Sequence, residues 1–167
     1  MKDTKRLTLL SLLVSVAMVL SYLESLVPVF VSVPGVKMGF SNVATIFALY
    51  SLGPLAAAGV SIVRVVLSSL LFGNLEMMIY SLFGAALSLI FMIILKKSEM
   101  FSTMGVSAVG GVMHNAGQIV AASILLRNSG VLYYFVPLVI SGTLAGVVIG
   151  IISGIMIKRL GNKINKN

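Results

Sequence analysis

Three large polar side chains, His114, Asn115 and Gln118, stand within five residues of one another in an apolar stretch, GGVMHNAGQ at 110–118, and His114 is the only histidine in the chain. On a helix His114 and Gln118, at i and i+4, share a face, with Ser107 two turns before His114 and Asn115 about 100° away. Such groups can hydrogen-bond a ligand, and they can equally tie neighbouring helices together. Gly110, Gly111 and Gly117 beside them let a second backbone or a ligand approach closely. Arg64 lies ten residues into another apolar segment, while Lys37, Asn42 and Glu76 fall at the outer ends of theirs. Lys37 and Arg64 together would give a cavity two cations, suited to an anionic group on a ligand. Taken singly, Lys37 fits a lysine snorkelling to an interface, and Arg64 fits one half of an ion pair with Glu76 or Glu24.

The same inventory excludes much chemistry. There is no cysteine, which removes disulfides, thiolate metal sites and thiol catalysis. One histidine and four acidic residues are poor material for a metal site, and no cofactor is implied. A nucleophile, base and acid triad lacks an acidic neighbour for His114. No Gly-rich phosphate loop ending in Lys-Ser or Lys-Thr occurs, and a single Asp cannot build the magnesium-binding carboxylate motifs of prenyl synthases. The chain is therefore expected not to be an enzyme.

The elements that must position these residues follow from hydropathy. The chain is 59% hydrophobic and 10% charged, with a mean hydropathy of +1.12, which points to an all-α, polytopic membrane protein in a single domain over 1–167. Cutting at charges, Pro and Gly leaves six apolar segments near 7–23, 40–53, 54–72, 75–95, 103–126 and 132–157. Most reach the ~20 residues that cross a ~30 Å hydrocarbon core. The basic start followed by an apolar run resembles a signal peptide, but no small-residue cleavage site follows, so it is taken as a retained first helix.

Six crossings would put both termini on one side. Lys2, Lys5, Arg6, Lys96, Lys97, Lys158, Arg159, Lys163 and Lys166 then share that face, against Lys37 and Arg127 opposite, and this bias sets the termini in the cytoplasm of a bacterial cell. The net charge of +8 is thus a topology signal rather than a mark of nucleic-acid binding. The first outer connector, 24–40, is long and mostly apolar yet broken by Pro28, Pro34 and Gly35, as expected of a re-entrant segment over a pocket. Tyr22, Tyr80, Tyr133 and Tyr134 suit an interfacial belt. Gly142, Gly146, Gly150 and Gly154 recur every four residues and form a close-packing face; Ser11 and Ser15, continued by Ala17 and Ser21, form a weaker one.

Pro34-Gly35-x-Lys37-x-Gly39-x-x-Asn42, Arg64 followed by Phe72-Gly73, and His114-Asn115-x-x-Gln118 together resemble the signature of the Gx transporter family, often labelled heptaprenyl diphosphate synthase component I. That family resembles the substrate-binding S components of energy-coupling factor (ECF) transporters. The resemblance, which runs from about Lys5 to Leu160, implies six transmembrane helices and a small vitamin-like molecule captured from outside. Lys37, Asn42, Arg64, Glu76, His114, Asn115 and Gln118 would line the pocket, and the subunit would dock on an ECF T component driven by two ATPase subunits. S components typically offer an Ala-x-x-x-Ala face on the first helix; Ser11 and Ser15 are the nearest match here. The label itself points instead to an isoprenoid or quinone-precursor ligand, with the chain as a membrane accessory subunit of polyprenyl diphosphate or quinone biosynthesis. A purely structural assembly subunit is a third possibility.

Overall fold

The computed structural model describes residues 3–26 and 39–161. Among them six α-helices follow in order: α1 Asp3–Leu26, α2 Asn42–Ser51, α3 Pro54–Phe72, α4 Leu75–Lys97, α5 Thr103–Leu125 and α6 Phe135–Met156. A 3-10 turn, Ser129–Tyr134, leads into α6, and a π turn, Ile157–Gly161, ends it. No strand occurs among the described residues.

The boundaries have local causes. Pro54 opens α3 at a position where its missing N–H is not needed, and Gly53 takes φ +96°, open to glycine, to reverse the chain between α2 and α3. Asn74 and Ser102 cap α4 and α5 by accepting the N–H groups of Met77 at 2.8 Å and Gly105 at 3.2 Å. Lys96 and Lys97 occupy the last turn of α4, where cations complement the helix dipole.

Five helices, α1 and α3 to α6, are long and apolar enough to cross a membrane. By contrast α2 has ten residues, about 15 Å, or half a hydrocarbon core. The second apolar segment begins at 40, but Gly39 (φ +84°), Phe40 and Ser41 form a turn, and the helix starts only at Asn42. Val43 to Leu49 are all buried, and with Leu13, Ala17, Val60, Met92, Val106 and Ile149 they form the main core. The short helix is thus sheathed by its neighbours. At its end Leu49 O accepts a 2.7 Å hydrogen bond from Lys96 Nζ, which also lies 4.9 Å from the Tyr50 ring.

The rest of the bundle is inverted relative to a water-soluble protein. Large apolar side chains such as Leu12, Leu70, Ile94, Ile124 and Ile140 are exposed, whereas Ser21, Thr45, Ser61, Ser107 and Ser153 are buried. That is the pattern of a chain solvated by lipid.

Glycine sets the distance between α5 and its neighbours. A Cβ on Gly111 would lie 2.3 Å from Gly142 O, one on Gly146 2.6 Å from Ser107 O, and one on Gly150 2.6 Å from Met104 Cα. The 142–150 glycine face therefore packs inside the chain, on α5. On the opposite side Gly117 meets Gly84 and Phe83 of α4, and Gly110 meets Met92. The α1 stripe divides: Ala17 and Ser21 are buried, while Ser11 and Ser15 are exposed. Of the tyrosines, Tyr80 is buried beside Ala121 and Ala122, whereas Tyr22, Tyr133 and Tyr134 are exposed.

Candidate functional site

Among the described residues, the head of α2 gathers the buried Glu24 and Arg64. Ser41 is the N-cap residue of α2, but its hydroxyl does not cap the helix. It accepts instead from Arg64 Nη1 of α3 and donates to Glu24 Oε2 of α1 at 3.4 Å. Arg64 Nη2 donates to Asn42 Oδ1 at 3.2 Å, and the Phe40 N–H donates to Glu24 Oε1 at 2.7 Å. Glu24 and Arg64 are each 6% exposed, so a carboxylate and a guanidinium stand buried with one serine hydroxyl between them, and Glu24 acts electrostatically on Arg64. A buried charge of either sign alone would be costly; here each is balanced and hydrogen-bonded.

Two of the residues singled out in sequence, Asn42 and Arg64, are brought together by this arrangement. Glu24 and Ser41 complete it. Glu24 entered the sequence reading only as one of two possible partners for Arg64, and Ser41 not at all. The signal for Ser41 was weak, since Gly39-Phe40-Ser41-Asn42 reads as an ordinary helix start. The other possible partner, Glu76, is exposed in the first turn of α4. Lys37 lies outside the described residues.

The α5 group lies against α4 and α6. His114, Asn115 and Gln118 are buried. Asn115 Nδ2 donates to Leu138 O of α6 at 2.7 Å. His114 and Gln118 face Gly84 of α4, where an added Cβ would lie 2.7 Å from His114 O and 2.9 Å from Gln118 Cγ. Asn115 thus ties two helices together, as interhelical amides do.

Ser11 and Ser15 donate their hydroxyls to Leu7 O and Ser11 O of their own helix, each at 3.0 Å. With Leu10 and Val14 they form one wall of an open groove of about 470 Å³, whose other wall is Leu55, Ala56, Gly59, Val60 and Val63 of α3. Among the described residues no group of three or more His, Cys, Asp or Glu could hold a metal ion.

An all-helical bundle with lipid-facing apolar surfaces and a buried polar cluster defines a polytopic membrane protein. A family model described as heptaprenyl diphosphate synthase component I matches residues 13–156, and the chain belongs to that family. It is a component rather than an enzyme in its own right. Comparison with curated proteins and with solved structures gave no match.

Proposed function

We propose that the chain is a membrane-embedded, non-catalytic subunit, one domain throughout, that captures a small molecule at the head of α2. The observation that carries this reading is the Glu24–Ser41–Arg64–Asn42 cluster. Charged side chains inside a membrane bundle are costly and mark functional sites by default. Here they converge at the start of the short α2, joining the last turn of α1 to the middle of α3. Lys37, Glu76, His114, Asn115 and Gln118 are retained as candidate contributors from the sequence motifs.

Two settings suit such a subunit. The family description favours a membrane accessory subunit of polyprenyl diphosphate or quinone biosynthesis, working with a soluble synthase. The sequence motifs, together with a short, buried α2 packed against α1, α3 and α6, favour an S component of an ECF-type importer. In that setting the chain crosses the bacterial plasma membrane six times with both termini cytoplasmic. The re-entrant reading of the first connector, 24–40, falls largely outside the described residues; Ser11 and Ser15 would meet the T component that two ATPases drive. The groove between α1 and α3 supports that docking face, because small side chains there admit another helix closely.

Native mass spectrometry of the chain purified from its own membranes tests the first claim: a bound small molecule that is lost in Arg64→Gln is expected. A protein that carries none, with Arg64→Gln unchanged in everything but stability, would sink it. Proteins recovered with the tagged chain then separate the settings, a prenyl synthase marking one and a T component with ATPases the other.

A further inference from the structure

The sequence alone casts Arg64 as a cation awaiting an anionic ligand, and the structure changes that charge count. Among the described residues, the buried carboxylate of Glu24 and the buried guanidinium of Arg64 belong to one hydrogen-bonded chain through Ser41 Oγ. Their formal charges cancel. An anion brought to Arg64 would enter beside a carboxylate already in place, in a medium where like charges repel strongly and an unbalanced charge is heavily penalised.

What the cluster still offers is hydrogen-bonding capacity. Arg64 Nε has no partner among the described residues, although the side chain is more than nine-tenths buried. Thr45 Oγ1, one turn along α2 from Ser41, is likewise buried and unpartnered among them. A guanidinium N–H is a donor only, and a hydroxyl can donate. An oxygen acceptor that carries no net charge would satisfy the guanidinium N–H, and the hydroxyl could donate to such a group in the same way.

We propose that the site at the head of α2 selects an uncharged ligand group bearing an oxygen acceptor, such as a carbonyl or hydroxyl, and that Glu24 is the residue that excludes anions. This rests on the reading of that cluster as the ligand site and names the class of ligand it takes. Under it, a prenyl diphosphate headgroup does not bind at Arg64, whereas the quinone-like or other neutral end of a molecule does.

The test uses two probes of similar shape and opposite character, inorganic phosphate and uncharged trimethyl phosphate, at matched ionic strength. The full chain is held in nanodiscs, and its thermal unfolding midpoint is followed. Trimethyl phosphate should raise the wild-type midpoint by more than phosphate does. Glu24→Gln, which keeps an acceptor for the Phe40 N–H but removes the charge, should reverse that order. Arg64→Gln should remove both responses. A wild-type protein that prefers phosphate through Arg64, or a Glu24→Gln variant with unchanged order, overturns the proposal. If Glu24→Gln does not fold, the wild-type and Arg64→Gln proteins decide: any order other than an Arg64-dependent preference for trimethyl phosphate overturns it. The outcome is independent of co-purification, so failure here leaves the capture reading standing with a different ligand class.

Discussion

Replacing one glycine by alanine at two positions isolates what holds the bundle together. At Gly111 the new Cβ would lie 2.3 Å from Gly142 O, 3.1 Å from Gly142 C and 3.5 Å from Gly146 Cα, all backbone atoms of α6. No rotamer change can relieve contacts with backbone. Ordinary contact begins at 3.4 Å, so α6 must retreat by about 1 Å. The same retreat loosens the seam where Gly146 meets Ser107 and Gly150 meets Met104. Overpacking of this kind costs about 1–3 kcal/mol, and the lost dispersion along the seam places Gly111→Ala at the upper end. At Gly59 of α3 an added Cβ meets nothing within 4 Å. Gly59→Ala should therefore stabilise by about 0.4–1 kcal/mol through the unfolded chain. Helix propensity favours alanine alike in both variants and cancels in the comparison, leaving a difference of roughly 3 kcal/mol from packing alone. Titration with SDS in mixed micelles, followed by far-ultraviolet circular dichroism because the chain has no tryptophan, measures it. Two variants of equal stability would refute the claim that glycine contact sets the α5–α6 separation.

Asn115→Ala should lower stability by about 0.6–2 kcal/mol, the range for an interhelical amide bond in a membrane, by removing the bond to Leu138 O; an unchanged unfolding curve would count against that tie. Leucine at Ser11 or Ser15 should leave the unfolding midpoint within a degree or two while weakening recovery of a membrane partner, since both side chains are exposed and bond only to their own helix; loss of folding would show that the groove is closed from within. Cysteines placed singly at Asn128 and Ser98 of this naturally cysteine-free chain should label from opposite sides of the membrane with an impermeant maleimide; labelling from the same side would remove the six-crossing topology.

The helices were legible because charges, Pro54, Gly73 and the capping residues Asn74 and Ser102 punctuate the apolar runs, and the ends of α3, α4 and α5 fall within two residues of where the pattern puts them. The length of α2 was not legible. Hydropathy continues smoothly from Phe40, and only a backbone turn at Gly39 delays the helix to Asn42. Arg64 stood out by type, but its neutralising partner could not be chosen from sequence, because Glu24 and Glu76 both flank helices that adjoin α3. Folding chose Glu24 by placing Ser41 between them. The Gly142–Gly150 repeat announced close packing without naming its partner. That partner is α5, whose own Gly111 supplies the facing gap.

Because α2 is a single ten-residue rod, its two ends cannot be adjusted separately. One end carries Ser41 and Asn42 into contact with Arg64, and the other is held by Lys96 through the carbonyl of Leu49. A helix this short has little room to bend, so an axial displacement at Leu49 is carried to Asn42, about 10 Å away. The lysine at one end of α2 and the arginine at the other are thus coupled through a single rigid rod, much as two hands on one stick.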